Sequence, residues 1–478
     1  MASSVLSLIF SLLSISLLPS LSSSALLLPL SRSLPNSSSP HHLLRSAATR
    51  SSARFHRSRR HVSLPLSSGS DYTLSLTLGG HLVSLYMDTG SDLVWIPCRP
   101  FQCILCDGKP AAAAPPLNLT SAVPVPCHSP ACSAAHSSLP QSDLCAAAGC
   151  PLDAIETGGC GRRPCPRFYY AYGDGSLVAN LYSDALAVPP SAALRLPAFT
   201  FGCAHTTLGE PVGVAGFGRG DLSLPAQLAA ASPDIGNYFS YCLIAHPFDA
   251  GRASKPSPLI LGRRRDAEDE KLKNKSAGEF VGGYAFTPML DNPKHAYFYC
   301  VGLEAVTVGK RRIQAPISLR RVDRRGDGGM VVDSGTTFTM LPRELYRTVV
   351  EEFVAGVGGA RRRATKVEER TGLQPCFYGR AGERPLGGVP SLVLHFAGNS
   401  SVGLPRRNYF YEFSDVDARR EVGCLMVMDG GEEAERGGGP AGLLGNYQQQ
   451  GFEVVYDLEE KRVGFARRRC GSMWDALN

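Results

Sequence analysis

The first 70 residues of this 478-residue chain contain no aspartate or glutamate, and the first acidic side chain is Asp71. Seven arginines lie in the same stretch, which leaves 49 − 7 = 42 basic residues against 42 acidic ones in the rest of the chain. The formal net charge of +7 is therefore confined to the N-terminal segment. Because the remainder carries no excess of positive charge, we expect no binding of nucleic acid.

The chain also lacks a long apolar run. After the N-terminus no stretch reaches the roughly 18 residues that a membrane-spanning helix needs, so no stable membrane anchor is expected. The one early apolar segment, Val5–Leu18, has the length of a signal-peptide core and is followed by small residues up to Ala25. We predict a signal peptide over 1–25 and a basic propeptide over 26–70. An Arg- and Ser-rich, acid-poor N-terminus is also typical of a transit peptide, which stays an alternative.

The propeptide segment is rich in Ser, Pro and Arg and shows little hydrophobic periodicity. Such a composition cannot bury much apolar surface, so residues 26–70 are predicted to be disordered on their own. At near-neutral pH this basic segment could lie against an acidic cleft and inhibit it.

Fifteen cysteines are many for a reducing compartment, and nine of them fall between Cys98 and Cys165. Disulfides are the favoured explanation. Zinc is the rival, because Cys103 and Cys106 have the spacing of half a metal site. An odd total leaves at least one thiol without an intrachain partner. Three triplets fit the pattern for N-glycosylation, with their asparagines at Asn118, Asn274 and Asn399.

From Tyr72 onward, short β-like runs alternate with Gly, Pro and Asn, which indicates an all-β architecture. Brief helical patterns occur only around 224–231 and 344–357. Strands are predicted at 72–78, 82–87, 168–172, 198–201, 299–308, 392–396 and 452–456.

The strongest feature is an internal repeat. Asp88-Thr89-Gly90-Ser91 recurs 245 positions later as Asp333-Ser334-Gly335-Thr336, and each copy follows a short apolar run that reads as a strand. Later in each half an apolar run ends at a glycine, which is Gly216 in the first half and Gly445 in the second. Two similar lobes are therefore expected, over 71–250 with a Cys-rich insertion at 98–165 and over 284–478. The charge-dense stretch 251–283 between them is interpreted as a surface loop.

Two acidic turns of this kind can deliver two carboxylates to one site. Carboxylates at close range cannot both ionise, so one stays protonated while its partner acts as a base. Such a pair can activate a water molecule and protonate a carbonyl oxygen, without a cofactor or metal. Gly90 and Gly335 let backbone amides turn toward the carboxylates, and Ser91 and Thr336 can each donate a hydrogen bond to the adjacent aspartate.

These motifs resemble the pepsin-type (A1 family) aspartic proteases, and more closely the plant nepenthesin-like group. The resemblance covers about Tyr72 to Ala466. It is carried by 85–95, by Tyr172-Gly173-Asp174-Gly175-Ser176, by 213–218, by 332–337 and by 443–450. It implies a bilobal pepsin-like fold, with two related β-rich lobes and the active site in the cleft between them. Protein or peptide substrates, a monomer, and secretion to the extracellular space or apoplast are expected, with the vacuole or chloroplast as alternatives.

The resemblance also assigns roles to individual residues. Asp88 and Asp333 are the catalytic pair, and Thr89 and Ser334 cross-link the two turns by hydrogen bonds. Tyr172, Gly173, Asp174 and Gly175 form the flap that closes over substrate, with Trp95 as its support. In one place the chain departs from the family pattern, because Gly79-Gly80-His81 is shorter than the usual turn before the catalytic strand.

Two other functions are weighed against an acidic endopeptidase. The first is a catalytically silent binding protein on the same fold, as in the plant xylanase inhibitors that resemble this family. Those proteins typically lack one complete catalytic turn, whereas both turns are intact here. The second is a zinc-binding interaction module in the cysteine-rich stretch.

Overall fold

The structure is a computed structural model that describes residues 25–32, 40–55, 72–106, 116–137, 164–172, 175–188, 194–233, 235–245, 256–263, 283–358, 361–379, 386–415, 419–431 and 438–477. Gly173, Asp174 and Asn274 lie outside these described residues, as do almost all of the expected signal peptide and residues 264–282.

Twenty-six strands are described. Those of the first half of the chain are β1 (Leu26–Arg32), β2 (Tyr72–Leu78), β3 (His81–Asp88), β4 (Trp95–Ile104), β5 (Val123–Pro124), β6 (Phe168–Tyr172), β7 (Gly175–Ala187), β8 (Arg195–Leu208), β9 (Val214–Gly216), β10 (Tyr238–Cys242) and β11 (Ser257–Leu261). Those of the second half are β12 (Ala285–Leu290), β13 (Cys300–Val301), β14 (Leu303–Val308), β15 (Arg311–Gln314), β16 (Met330–Val332), β17 (Thr339–Leu341), β18 (Cys376–Tyr378), β19 (Leu392–Phe396), β20 (Ser400–Leu404), β21 (Phe410–Asp415), β22 (Arg420–Leu425), β23 (Val427–Asp429), β24 (Gly442–Leu444), β25 (Phe452–Asp457) and β26 (Arg462–Arg467).

The described helices are short apart from two. They are α1 (Pro40–Phe55), α2 (Pro130–Ser137), α3 (Leu224–Ala231), α4 (Ile317–Arg320), α5 (Arg343–Val357), α6 (Thr365–Thr371), α7 (Asn446–Gln449) and α8 (Cys470–Leu477), with a single 3₁₀ turn at Arg406–Asn408. Among the described residues, none of these helices combines the length and the apolarity that crossing a membrane requires.

An antiparallel sheet joins the two halves of the chain. Its strands run in the order β1, β11, β10, β25, β26 and β12, so that three come from each half. The contact between the halves is the pairing of β10 with β25, where Phe239 lies opposite Tyr456 and their rings stack at 4.6 Å. The bilobal pepsin-like fold expected from the sequence is confirmed, and this sheet fixes one lobe relative to the other.

Each lobe adds its own sheets to this base. In the first half β2 and β3 form a hairpin, and β7 pairs with β6 and β8. In the second half β15, β14, β19 and β20 form one sheet, and β18, β22 and β21 form another. The short turn at Gly79-Gly80 closes the β2–β3 hairpin with Leu78 opposite His81. Both glycines have positive φ, +55° and +84°, as a two-residue hairpin turn requires.

Two described parts of the segment 26–70 pack against the rest of the protein. Strand β1 enters the central sheet beside β11, with Leu28 and Leu30 buried. Helix α1 packs against the second half of the chain, and Leu43, Leu44 and neighbouring alanines lie in one core cluster with Phe338. The prediction of disorder concerned the segment on its own, and here β1 and α1 are ordered because their few apolar side chains pack against the rest of the protein.

The stretch 251–283 is not a surface loop throughout. Ser257–Leu261 forms β11, and all five of its residues are buried between β1 and β10. The apolar run Leu259-Ile260-Leu261 has the length of a short buried strand. It was not predicted from the sequence because the surrounding stretch is rich in charged residues.

Five disulfides join described cysteines: Cys98–Cys203, Cys103–Cys106, Cys132–Cys165, Cys242–Cys470 and Cys376–Cys424. Cys103 and Cys106 are therefore paired with each other rather than arranged as half of a zinc site. Cys127 is also disulfide-bonded. Among the described cysteines, Cys300 is a buried free thiol.

Docking of helix α1 should contribute measurably to the stability of the full-length chain. Replacing the buried Leu44 with alanine leaves a cavity against the second lobe, and we expect a loss of about 2–4 kcal/mol in the free energy of unfolding. Chemical denaturation of unprocessed protein measures this loss. The control is His42→Ala on the exposed face of the same helix. Equal stability of the two variants would mean that α1 does not pack as described.

Candidate active site

Asp88 and Asp333 are presented in the same way in the two halves of the chain. Asp88 ends β3, which runs parallel to β9 and pairs Asp88 with Gly216. Asp333 follows β16, which runs parallel to β24 and pairs Val332 with Leu444, the residue before Gly445. The two glycines singled out in the sequence therefore lie beside the two acidic turns. A Cβ on Gly216 would approach the Asp92 carbonyl to 2.4 Å, so this close packing requires glycine.

Four reciprocal hydrogen bonds lock the two turns together. The Thr89 amide donates to Ser334 Oγ at 3.0 Å, and the Ser334 amide donates to Thr89 Oγ1 at 2.9 Å. Thr89 Oγ1 donates to the Val332 carbonyl and Ser334 Oγ to the Met87 carbonyl, at 2.9 and 3.1 Å. All of these groups are buried, so each bond is protected from competition with water. The cross-link expected for Thr89 and Ser334 is present in the structure.

The lock brings the second carboxyl group against the first turn. A Cβ built on Gly90 would lie 2.8 Å from the Asp333 carboxyl carbon, so the Asp333 carboxylate packs directly on the Asp88 turn. Both aspartates are largely buried, at 3% and 5% exposure. The two acidic side chains thus share one site between the lobes.

Each carboxylate accepts an amide hydrogen bond from its own turn. Gly90 donates to Asp88 Oδ1 at 2.9 Å and Gly335 to Asp333 Oδ1 at 2.8 Å. The hydroxyl of Thr336 donates to Asp333 Oδ2 at 2.5 Å, as the sequence predicts. The equivalent bond from Ser91 is absent among the described residues, where Ser91 Oγ is buried without a hydrogen-bond partner. That expectation was wrong, and the two turns differ in this respect.

Below the lock lies a buried polar network that the sequence did not reveal. Tyr241 on β10 donates to Gln449 Oε1, and its hydroxyl lies 2.8 Å from that of Tyr456 on β25. Gln449 Nε2 donates to the Leu444 carbonyl at 2.7 Å and to the Asp333 carbonyl at 3.3 Å. The network therefore draws on both halves of the chain and reaches the Asp333 backbone. Burial raises the pKa of both tyrosines far above the acidic range.

The flap hairpin consists of β6 and β7, with Tyr172 opposite Gly175. Its tip, Gly173 and Asp174, lies outside the described residues. Trp95 is buried in the same cluster as Phe168, Tyr170 and Leu177 of the two flap strands. The structure thus places Trp95 against the base of this hairpin, and its role as a flap support stays a prediction.

Asp92 is a second feature that the motif alone did not single out. Its carboxylate is 8% exposed and accepts a hydrogen bond from the Gly220 amide at 2.8 Å. Its own amide donates to the hydroxyl of Tyr170 on the flap strand at 3.3 Å. Burial raises the pKa of the Asp92 carboxyl to about 6, against the opposing effect of the amide donors at Gly220 and Leu222. The available signal was an extra acidic residue directly after the Asp-Thr-Gly-Ser turn.

Comparison with known proteins matches both halves of the chain. The family model described as xylanase inhibitor N-terminal matches residues 72–263, and the one described as xylanase inhibitor C-terminal matches 298–467. A probable aspartyl protease of Arabidopsis thaliana is 59% identical over 433 residues, covering 87% of this chain and 85% of that protein. The chain belongs to the plant pepsin-like aspartic protease group. Aspartic proteinase nepenthesin-2 of Nepenthes gracilis is a more distant member, 28% identical over 86% of this chain and 81% of its own.

Solved structures show the same pepsin-like fold. Basic 7S globulin from soybean has a TM-score of 0.61 and 18% identity, covering 94% of this chain and 99% of that one. Conglutin gamma from lupine seeds has a TM-score of 0.59 and 18% identity, covering 93% and 95%. At these identities the likeness concerns the fold alone.

The hydrogen bonds between the two turns can be weakened by a substitution that keeps the shape of the side chain. Thr89→Val removes the hydroxyl that accepts from Ser334 and donates to Val332, so the two turns should separate slightly. A misplacement of this kind is expected to lower kcat about 10- to 100-fold with little change in KM. Steady-state kinetics on a peptide substrate measures both constants.

Thr77→Val, the same exchange at a half-buried position of β2, is the matched control. Unchanged kcat in a folded Thr89→Val variant would show that the hydroxyl does not set the geometry of the site.

Proposed function

We propose that this protein is an aspartic endopeptidase that hydrolyses peptide bonds at acidic pH, with a water molecule activated between Asp88 and Asp333. The observation that carries the proposal is the packing of the Asp333 carboxylate on the Asp88 turn, held by the Thr89–Ser334 lock. The 59% identical aspartyl protease supports it.

The reaction follows from two carboxyl groups that share one proton. The ionised member takes a proton from the water, and the oxygen of that water attacks the scissile carbonyl carbon. The protonated member donates its proton to the carbonyl oxygen, which gives a neutral tetrahedral intermediate. Loss of the shared proton at higher pH removes the acid, so activity declines as the pH rises.

The flap and its surroundings favour extended substrates with apolar side chains. Closure of the β6–β7 hairpin would exclude water and add a peptide strand along the cleft. Leu208 lies opposite Ser176, just behind the flap tip, and opposite Ile104 of β4. Both are large apolar side chains that remain exposed, at 38% and 42%. Exposed apolar surface beside a flap is suited to side chains of a bound peptide.

The first test is removal of either acid. Asp88→Asn and Asp333→Asn each leave one carboxyl group, which cannot act as the base and as the acid in the same step. We expect a fall of about 100- to 10,000-fold in the cleavage of denatured protein at about pH 3–5. Release of peptides from the substrate is the measurement. Asp221→Asn, an exposed carboxylate in the neighbouring loop, is the control and should retain activity. Undiminished turnover in either active-site variant contradicts the assignment.

The alternative of a silent inhibitor on the same fold has support only from the names of the two family models. Both acidic turns and their lock are complete here, which a binding protein without catalysis would not need. Pepstatin separates the two functions, because its binding requires the paired carboxylates.

For residues 26–70 we propose an inhibitory propeptide. Helix α1 lies beside the Asp333 turn, where the Phe338 amide donates to Ser51 Oγ at 2.9 Å. At its other end, His41 Nε2 lies 3.4 Å from the buried carboxylate of Asp415, which also pairs with Arg370 at 2.8 Å. These contacts hold α1 on the second half of the chain at both of its ends.

A variant of this contact tests the proposal. We expect His41→Ala to speed autoprocessing relative to the wild type, because one contact that retains α1 is missing. Activity assays and N-terminal sequencing across pH follow the change, with His42→Ala as the control on the exposed side of the helix. A secreted, immediately active protein that still begins near Ala25 would exclude a removable propeptide.

The remaining features concern where the protein resides. We propose secretion to the apoplast after removal of a signal peptide, with the vacuole or chloroplast as alternatives, and a monomer without a nucleic-acid partner. Asn118 and Asn399 are exposed and accessible for glycosylation. Asn399 occupies the β19–β20 turn with φ +60°.

A further inference from the structure

Asp92 is a buried carboxyl group that the proposed reaction does not use. It follows the Asp88 turn directly, and its position is determined by two other elements. The loop 217–222 passes over the carboxylate so closely that a Cβ on Gly220 would lie 2.3 Å from Asp92 Oδ2. The hydrogen bond from the Gly220 amide fixes this approach at 2.8 Å.

The same loop is hydrogen-bonded to the catalytic turn itself. The Phe217 amide donates to the Asp88 carbonyl and the Gly218 amide to the Ser91 carbonyl, both at 2.8 Å. On the opposite side, the Asp92 amide donates to the Tyr170 hydroxyl of the flap strand β6. Asp92 is thus the residue through which the catalytic turn, the 217–222 loop and the flap strand meet.

We propose that Asp92 is a positioning residue that holds the flap and the 217–222 loop on the catalytic turn in its protonated form, and that its ionisation loosens this junction toward neutral pH. The inference rests on the proposed protease activity and adds a second titrating group to it.

The groups that face Asp92 come from every element packed on it. Asp221 lies on the covering loop and raises the pKa of Asp92, and Arg219 on that loop pairs with Asp291 at 3.2 Å. Burial raises the pKa of both Tyr170 on β6 and Tyr299 before β13, and the charge of Asp92 adds to the rise. An ionised Asp92 would therefore meet one further carboxylate and two phenols that stay neutral.

The direction of the pH effect follows from the raised pKa. Between its ordinary value of 3.8 and about 6, the folded protein retains a proton on Asp92 that the unfolded chain has released. The contribution of Asp92 to stability is therefore complete below pH 3.8 and is lost as the pH rises through about 6. At pH 7 a group with a pKa of about 6 is about nine-tenths ionised, so most wild-type molecules then carry a charge in the buried junction.

Asp92→Asn provides the test, because the amide keeps an oxygen toward Gly220 and cannot ionise. We expect kcat at pH 4 close to the wild-type value. The ratio of kcat/KM between this variant and the wild type should rise about 10-fold between pH 4 and pH 7. Asp92→Ala, which loses the acceptor, should have a lower kcat at every pH, and Asn should restore it.

Glu351→Gln on α5 is the matched control, an exposed carboxylate in the other lobe that loses its charge in the same way, and its ratio should stay flat. A flat ratio for Asp92→Asn, or a folded Asp92→Asn without activity at pH 4, overturns the inference. Either result leaves the proposed protease intact if Asp88→Asn is inactive. Activity in Asp88→Asn would instead defeat the proposed function.

A second measurement needs no variant. Hydrogen exchange of the unmodified protein, corrected for the intrinsic pH dependence, should show weaker protection of 168–172 and 217–222 at pH 7 than at pH 4. The β14–β19 sheet in the other lobe is the internal reference and should not change. Equal protection of the flap strand at both pH values also overturns the inference.

Discussion

The exchange of hydrogen bonds between Thr89 and Ser334 is the constraint on which the site depends. Each residue uses its amide and its hydroxyl, and the partner always lies in the other half of the chain. None of these groups titrates between strongly acidic and neutral pH. The Tyr241–Tyr456–Gln449 network below has the same property, because phenols and amides keep their protons throughout that range. The carboxyl pair can therefore change protonation while its supporting framework stays the same.

The framework is built by the central sheet. Strands β10 and β25 pair across the two halves and carry Tyr241 and Tyr456, so the sheet that joins the lobes also supplies the floor of the cleft. Above it, β3 and β16 run beside β9 and β24 and end at the two aspartates. The distance between the two carboxyl groups is consequently a property of strand pairing, which is more rigid than a loop would be.

Local sequence patterns were sufficient to predict the acidic turns and several strands and helices. The two Asp-Ser/Thr-Gly turns, Gly216 and Gly445, the strand at 392–396 and the helix at 224–231 could be predicted, since each has a turn residue or an apolar period that specifies it. The all-β class followed from the same signals, whereas the bilobal fold and the flap were expected from the resemblance to the aspartic proteases.

The features that sequence reasoning missed depend on partners far away in the chain. Helix α1 and strand β1 have ordinary, Arg- and Ser-rich sequences, and only the surfaces that receive them make them ordered. Asp92 and Gln449 look like solvent-facing polar residues, yet they are buried because a loop or a tyrosine closes over each. The Ser91 hydroxyl, which makes no hydrogen bond among the described residues, belongs to the same class, since two similar motifs differ through their surroundings.

The position of strand β1 has a consequence for the protein after its propeptide is removed. It forms backbone pairs with both β11 and β2, and it covers an edge that includes Leu259 and Leu261. If processing detaches it, five residues of β11 lose their partner on one side, and an unpaired edge of that kind invites pairing with another chain. The processed protein must therefore pair this free edge of β11 with another of its own strands. Otherwise it will be more prone to self-association than its precursor.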